Sequence, residues 1–481
     1  MQGILGIEVL LVVFTLTLYI LSSEFLEKRK IEYLSEGTLA IFLGLILGVF
    51  IILLGGTMDQ FSSAVVFYFL LPPIIFSAGY TLNTQSFFQN FSYISLYGLI
   101  GTFINFIVLS SLSVLFKNHF GLSQLTVKEC LLLASVLTAT DTVAAITVIK
   151  ENKYPGLHSV MFGEGVLNDA VSIVLYRTVE NIGDVFSFWS SVQLIISFAV
   201  TTIFSIGIGM GTGLLAAYVF KKNPNLQQHP DREIALTMLV GYMSYIISEL
   251  IGLSGIMAIF CCAVTMAFYS SQNTSKTSQQ ATGLIFTVMS NGAEAFTFIY
   301  LGMNLTTFNW KNCNLSFSLY MLVAVVIGRS FSIFLPSFIV YLLRGRNFGL
   351  EKSSISVIWY AGLIRGTIAI ALALQITSKN RLIIVSTTLV IALFTTVFFS
   401  NCVSAFTRKV KLESTTSEKY FDLMPALEVS DKSRCIAVWS KLDKNYFQKW
   451  VGKEVKADDN TNSWKKVWDE DDISLNQLDS S

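Results

Sequence analysis

Charged residues are scarce in this chain of 481 residues. Asp, Glu, Lys and Arg make up 14% of it, whereas a soluble domain carries about 25%. The formal net charge is +1, which gives no electrostatic reason to expect nucleic acid as a partner. The composition therefore argues against an ordinary soluble domain and against a nucleic-acid-binding one.

Residues that bind metals or form redox motifs are also few. The three His, His119, His158 and His229, do not cluster along the chain. The six Cys include no Cys-x-x-Cys pair and have no His at a spacing that suits zinc. Four of the Cys lie in apolar stretches, where Cys usually acts as a small buried hydrophobe. We expect neither a zinc site nor a resident cofactor.

Apolar residues take the place of the missing charges and make up 53% of the chain. A membrane-spanning helix needs roughly 20 mostly apolar residues, and the sequence contains thirteen such runs. We therefore predict an all-α membrane protein with about thirteen transmembrane helices, surrounded by membrane lipids. The predicted spans are 6–23, 38–55, 64–80, 95–116, 129–149, 157–178, 191–220, 234–252, 254–271, 283–303, 316–343, 354–376 and 382–407.

Lys and Arg are distributed unevenly between the loops. One set of alternate loops holds fifteen of them, and the other set holds six. Basic residues favour the cytosolic side, so we place the N-terminus outside the cell or in a lumen and the C-terminus in the cytosol. Residues 408–481 then form a cytosolic tail on which regulators can act. On the outer side, Asn304 and Asn314 begin Asn-x-Ser/Thr sequences and are candidate glycosylation sites.

Six charged side chains lie well inside the predicted spans, away from their ends. A charge at the bilayer centre is costly, so each must face the protein interior or a water-filled cavity instead of lipid. Acids in such positions usually mark a pathway for ions or protons. The six are Asp141, Glu164, Asp169, Glu294, Arg329 and Arg365.

Two spans contain residues that interrupt helices. Residues 138–142 place three Thr and an Asp in one turn, and residues 362–366 place two Gly around an Arg. A break leaves unpaired amides at the start of one half-helix and unpaired carbonyls at the end of the other, with opposite partial charges. The negative Asp141 could offset the amides, and the positive Arg365 could offset the carbonyls. The breaks lie in spans five and twelve. These two spans occupy matching positions if span seven links two repeats of six spans, as in transporters.

A kink in the third span is predicted at Pro72-Pro73.

Asp169 in the sixth span is the predicted ion-binding residue. A carboxylate holds a proton or a cation but hardly both, and a bare carboxylate is costly in a low-dielectric interior. If the site crosses the membrane barrier only when neutral, one monovalent cation exchanges for one proton without net current. Asn168 adds an amide but no charge. Thr140 and Asp141 are candidate partners through hydroxyl or backbone oxygens.

The remaining charges have structural explanations that compete with functional ones. Asp141 is explained equally well as the cap of a helix end. Glu164 with Arg329, and Glu294 with Arg365, are each interpreted as a buried ion pair, because an unpaired charge is costly inside a membrane. Such pairs would hold the fold together instead of carrying ions.

Three other functions are disfavoured. The glycine-rich run 207–213 lies inside an apolar span, so we expect close helix packing instead of nucleotide binding. An intramembrane aspartyl protease using Asp141 and Asp169 would need a Pro-Ala-Leu sequence near the site, and here that sequence lies in the tail at 425–427. A cation channel remains as an alternative, but we find no re-entrant loop that would form a ring of filter carbonyls.

Four segments resemble, in order, signatures of the eukaryotic sodium/proton exchanger family. They are FYFLLPPIIFSAGY at 67–80, ATDTVAAITV at 139–148, FGEGVLNDAVSIVLY at 162–176 and AGLIRGTIAIALAL at 361–374. The resemblance covers roughly residues 10–410. It implies thirteen spans in two inverted six-helix repeats with crossed broken helices, a homodimer, and an elevator-type alternating-access movement.

The resemblance also implies a division of the chain and roles for its residues. Asp169 and Asn168 correspond to the ion-binding pair, and Asp141 and Arg365 serve the crossed half-helices. The implied function is electroneutral exchange of sodium, and also potassium, for a proton, which regulates pH and cation content. The implied parts are scaffold helices 1–3 (1–80) and 8–10 (226–305), transport-core helices 4–6 (81–180) and 11–13 (306–407), linker helix 7 (181–225), and the tail (408–481).

Two details refine the comparison. Glu164 and Arg329 correspond to residues that are structural or related to pH. Thr140 and Thr142 flank the acid of the first broken helix, where many members of the family have Pro. The short tail, with AVWSKLDKNYF at 437–447, resembles the intracellular branch of the family, which implies an endosomal, Golgi or vacuolar membrane.

Overall fold

Helices form all the regular structure in the described part of the chain, which comprises residues 2–29, 34–53, 65–149, 153–181, 188–307, 313–344 and 351–410. The computed structural model has eighteen α-helices in these ranges. They are α1 (Gln2–Lys28), α2 (Glu36–Leu53), α3 (Leu71–Tyr80), α4 (Thr84–Gln89), α5 (Phe91–Ser95), α6 (Thr102–Phe116), α7 (Val127–Thr138), α8 (Val143–Val148), α9 (Pro155–Glu180), α10 (Phe188–Lys222), α11 (Pro230–Leu250), α12 (Gly255–Thr265), α13 (Lys276–Thr307), α14 (Leu315–Arg344), α15 (Lys352–Ala361), α16 (Thr367–Gln375), α17 (Arg381–Phe394) and α18 (Ser400–Val410).

The thirteen predicted spans correspond to these helices in order, and we number the passes from 1 to 13. Passes 1, 2, 6, 7, 8, 10 and 11 are the single helices α1, α2, α9, α10, α11, α13 and α14, and passes 5 and 12 are the pairs α7–α8 and α15–α16. By length and composition, seven described segments are long and apolar enough to cross a membrane; they belong to passes 2, 4, 7, 8, 10, 11 and 13. Passes 3, 4, 9 and 13 consist of α3, α5–α6, α12 and α17–α18 with the π-helical turns Val66–Leu70, Leu96–Gly101, Met266–Ser270 and Thr395–Phe399.

The prediction of an all-α membrane fold with about thirteen spans is confirmed. The boundaries of the helices follow the ends of the apolar runs to within five residues, except that α13 begins seven residues before the predicted tenth span. Of the predicted cytosolic tail, residues 411–481 lie outside the described residues.

Passes 2 and 10 lie close together because glycines remove side chains from their contact. A Cβ atom at Gly44 would overlap the carbonyl oxygen of Ile299, and one at Gly302 would overlap that of Ile41. Small residues at such positions let membrane helices approach to backbone contact, where dispersion drives association in place of the hydrophobic effect. The two helices therefore form one tightly packed unit.

The glycine-rich run 207–213 packs against pass 9, as predicted. A Cβ atom at Gly213 would lie 2.7 Å from Cβ of Thr265, and one at Gly209 would lie 2.9 Å from Cβ of Cys261. In contrast, no atom lies within 4 Å of the Cβ position at Gly207. The run therefore has one face packed on α12 and one face open.

This asymmetry predicts opposite effects for two neighbouring substitutions. Gly209→Ala is expected to lower the free energy of unfolding by about 1–3 kcal/mol, the usual cost of overpacking. Gly207→Ala, the matched control, is expected to raise it by about 0.5–1 kcal/mol, because Ala is the better helix former. Thermal unfolding in detergent measures both, and equal effects at the two positions would contradict the observed packing.

Pro72 and Pro73 lie in pass 3, at the position where the sequence predicts a kink. They occupy the first turn of α3, directly after the π-helical turn Val66–Leu70. In a π-helix the carbonyls of Phe67 and Tyr68 would pair with the nitrogens five residues on, but these belong to the prolines and carry no hydrogen. Two tyrosines of pass 8 donate in their place: the hydroxyl of Tyr245 to Phe67 at 2.9 Å, and that of Tyr242 to Tyr68.

The helices pack as two groups joined by α10. In one group, α3 contacts α11, α12 and α13, α11 contacts α12 and α13, and α2 packs on α13. In the other, α7 contacts α6, α9, α16 and α17, and α14 packs on α6 and α17. The long helix α10 contacts α9 on one side and α11 and α12 on the other. Both broken passes thus belong to the second group.

Candidate functional site

The two broken passes meet at their interruptions. Helix α7 begins with a capping box between Thr126 and Glu129 and ends at Thr138, and residues 139–142 are not helical. Helix α15 ends at Ala361, and α16 begins at Thr367. The amide of Asp141 donates to the carbonyl of Ile364 at 2.9 Å, which joins one break to the other. The predicted crossed, broken helices are therefore present.

Arg365 lies at the carbonyl end of α7, as its sequence position predicted. Its Nη1 donates to the carbonyls of Thr138 at 3.2 Å and Ala139 at 3.0 Å. Its backbone is fixed by pass 13, because its amide donates to the Thr395 hydroxyl and its carbonyl accepts from Thr396. The side chain is fully buried. A cation at this end satisfies carbonyls that the helix leaves unpaired and offsets their partial negative charge.

Arg329 does the same for the other broken pass. Its Nη2 and Nε donate to the carbonyls of Ile358 at 2.7 Å and Trp359 at 3.3 Å, near the end of α15. Its Nη1 and Nη2 also form a forked ion pair with Glu164, at 2.8 and 3.3 Å. A Cβ atom at Gly362 would overlap the guanidinium. The predicted pair of Glu164 with Arg329 is therefore present, but the sequence did not reveal that Arg329 also caps a helix.

Glu294 does not pair with Arg365, and this part of the sequence interpretation was wrong. No ion pair between the two occurs in the described part of the chain, because Nη1 of Arg365 is directed to the carbonyls at the end of α7. Glu294 is half-buried on α13, and its Oε1 lies 3.4 Å from the hydroxyl of Ser290. It belongs to the helix group opposite the broken passes.

Asn168 ties pass 6 to the first break. Its amide nitrogen donates to the Thr140 hydroxyl at 2.9 Å, and its carbonyl oxygen lies 3.2 Å from the Ser172 hydroxyl. Ser172 in turn contacts the hydroxyl of Thr138 at 3.0 Å. All four side chains are buried. The sequence did not reveal Ser172 as the residue that connects Asn168 with Thr138, although Ser172 lies four residues after Asn168 and so shares its face of the helix.

Asp169 is the acid whose charge is left least satisfied by the protein. Its Oδ1 is buried, and no group in the described ranges donates a hydrogen bond to it. The residue as a whole is only half-buried, so part of it remains accessible. A buried, unpaired carboxylate oxygen is costly, and a bound proton or cation relieves that cost.

The side chain of Asp141 lies against the second break. A Cβ atom at Gly366 would be 2.7 Å from the carboxyl carbon of Asp141, so only glycine permits this approach. Asp169 is within electrostatic reach of Asp141 and Arg365, and also of Glu164 and Glu294. The structure thus brings together the residues that the sequence predicted for the site, with Thr140 held by Asn168 beside them.

Comparisons with known proteins agree with this arrangement. Residues 11–409 match the family described as "Sodium/hydrogen exchanger, transmembrane". Sodium/hydrogen exchanger 1 of Oryza sativa subsp. japonica is 34% identical over 389 residues, which cover 76% of this chain and 72% of that relative. Sodium/hydrogen exchanger 8 of Homo sapiens is 29% identical over 430 residues, which cover 86% and 73%. The sodium proton antiporter MjNhaP1 from Methanocaldococcus jannaschii has a similar fold, with a TM-score of 0.63 at 19% identity over 85% of this chain and 99% of that one.

Proposed function

Because this chain belongs to the sodium/hydrogen exchanger family, we propose that it exchanges sodium, and also potassium, for a proton across a membrane. The observation that carries the proposal is the buried Oδ1 of Asp169, which accepts no hydrogen bond from the described protein groups. The site lies between two broken helices whose carbonyl ends already hold arginines. Cation and proton then compete for one acid.

The chemistry follows from charge. With either ligand bound, the carboxylate of Asp169 is close to neutral, and without one it carries a buried charge that is costly to move. The helix group that holds the site therefore changes position readily when loaded and hardly at all when empty. Coupling of one cation to one proton, without net current, is the result.

Neighbouring groups shape the site without adding a titrating charge. Both polar ends of the Asn168 side chain are engaged, with Thr140 and Ser172, which supports a positioning role in addition to the predicted role as ligand. We propose that the hydroxyl oxygen of Thr140 and a backbone oxygen of Asp141 complete the cation shell. Arg365 and Arg329 keep the helix ends that surround the site paired while the ligand changes.

We propose an elevator movement in which passes 4–6 and 11–13 form the transport core and passes 1–3 and 8–10 the scaffold. The packing of the helices in two groups joined by α10 supports this division. Two copies of the scaffold would form the homodimer, and the tail 408–481 would receive cytosolic regulators. The tail sequence at 437–447, similar to that of intracellular exchangers, supports an endosomal, Golgi or vacuolar membrane.

Ion flux in reconstituted vesicles tests the proposed function. A gradient of sodium or potassium is expected to drive proton movement in the opposite direction, read with a pH-sensitive dye, and clamping the membrane potential at different values is expected to leave the rate unchanged. A lithium gradient completes the selectivity series. Flux that follows the membrane potential, with no need for a counter-ion, would support the channel alternative instead.

A further inference from the structure

A charged contact joins the proposed transport core to the scaffold at one end of the molecule. Arg177 lies in the last turn of α9, in the core, and its Nη2 is 2.6 Å from Oε2 of Glu249 at the end of α11. Its Nη1 donates to the carbonyl of Leu253 at 3.1 Å. The two side chains are only 19% and 13% exposed. The arginine therefore reaches out of its own helix group and binds the other group at two points.

The scaffold holds its half of this contact independently of Arg177. The other oxygen of Glu249, Oε1, accepts from the amide of Gly255 at 3.0 Å, at the start of α12. The turn between α11 and α12 passes through Gly252 at a positive φ of 81°, a conformation that favours glycine. This turn places the carbonyl of Leu253 beside the carboxylate. The receiving group for the guanidinium is thus built into the scaffold.

An uncharged contact joins the same two groups at the opposite end. Asn401 of α18 accepts from the amide of Ser35 at 2.6 Å. The hydroxyl of Thr38, in α2, donates to the carbonyl of Thr396 at 3.2 Å. Because successive passes alternate in direction, the start of pass 2 and the end of pass 6 lie on opposite sides of the membrane. Sliding of the core along the membrane normal would disturb the contacts at both ends.

We propose that Arg177 and Glu249 form a latch that fixes the transport core in the position seen here and must open in each transport cycle. The inference rests on the proposed elevator movement. An ion pair across a moving boundary stabilises one position of the core only, so it biases the equilibrium between positions by its own interaction energy. The pair does not touch the Asp169 site, so it governs the rate and the resting position of the core, not which cation the site selects.

Distance measurements test the latch. Spin labels at Asn181→Cys and Ile251→Cys, both exposed, report the separation of α9 and α11 in a background whose native cysteines are replaced by alanine. We expect a main population at short distance in the parent and a shift of that population toward longer distances in both Arg177→Met and Glu249→Gln. Gln keeps an oxygen for the amide of Gly255, so this second variant retains the scaffold contact.

Transport kinetics provide the second readout. Each variant is expected to change maximal turnover by about two- to tenfold, with the order of preference among sodium, potassium and lithium unchanged. The double variant is expected to resemble the single variants, since each already removes the pair. The control is Ser337→Ala, which removes a 2.8 Å hydrogen bond to Tyr97 inside the core and is expected to shift neither the distances nor the kinetics.

The outcomes separate the latch from the function on which it rests. Distance distributions that stay unchanged in Arg177→Met and Glu249→Gln would overturn the latch, even if both variants are less stable. Additive effects in the double variant would also overturn it. Failure of the parent protein to exchange cation for proton would overturn the proposed function itself.

Discussion

Replacement of Asp169 by Asn is expected to abolish cation-driven proton flux. The amide has nearly the same shape as the carboxyl group, but it neither gains a proton nor carries the negative charge that holds a cation. Oδ1 of Asp169 is buried without a hydrogen-bond donor in the described part of the chain, so the substitution removes the oxygen to which we assign both the proton and the cation. The expected loss is complete at every cation gradient, as measured by a pH-sensitive dye in reconstituted vesicles.

A control must show that the variant still folds. Asn at this position removes a costly buried charge, so the variant is expected to elute as the parent does in gel filtration and to unfold at the same or a higher temperature. Asp231→Asn, at an exposed acid in the first turn of α11, is expected to leave flux unchanged. Flux that persists in Asp169→Asn would show that another group carries the proton.

Replacement of Glu164 by Gln is expected to be the most destabilising single change. It leaves the guanidinium of Arg329, which is 1% exposed, without its anion. Removal of one partner from a buried ion pair usually costs about 3–5 kcal/mol, since the remaining charge stays buried. We expect a marked fall in unfolding temperature, or loss of folded protein, measured by the intrinsic fluorescence of the protein during heating in detergent.

A double substitution separates the two roles of Arg329. With Glu164→Met and Arg329→Met together, no buried charge remains unpaired, so part of the lost stability is expected to return. The carbonyls of Ile358 and Trp359 stay without their donor. The part of the free energy of unfolding that the double variant does not recover therefore measures how much Arg329 contributes by capping α15. A single Glu164→Gln variant as stable as the parent would contradict the importance of the pair.

The sequence predicted the helices and their breaks because both depend on local composition. Apolar runs of membrane length, and small polar or glycine residues at 138–142 and 362–366, are visible without knowledge of neighbours. The sequence does not show which residues become partners across the fold. Pairing Glu294 with Arg365 by opposite charge was wrong, because the carbonyl ends of a broken helix compete for the arginine.

Hydroxyl contacts were equally hard to predict. Many Ser and Thr side chains in these helices donate to a carbonyl four residues earlier, as Thr102 and Thr178 do. Nothing in the sequence marks Ser172 as one that instead contacts Asn168 and the neighbouring helix. Direction of a side chain, not its identity, decides such contacts, and direction comes from the packed fold.

The tyrosine hydroxyls bound to pass 3 affect how the protein is made. Phe67 and Tyr245 are 178 residues apart in the chain, so at about 5–20 residues per second the ribosome needs roughly 9–36 s to supply the second after the first. During that interval the carbonyls freed by Pro72 and Pro73 have no partner from pass 8, and such groups are poorly tolerated in lipid. The third helix therefore reaches its final place in the bilayer only after the eighth has been inserted.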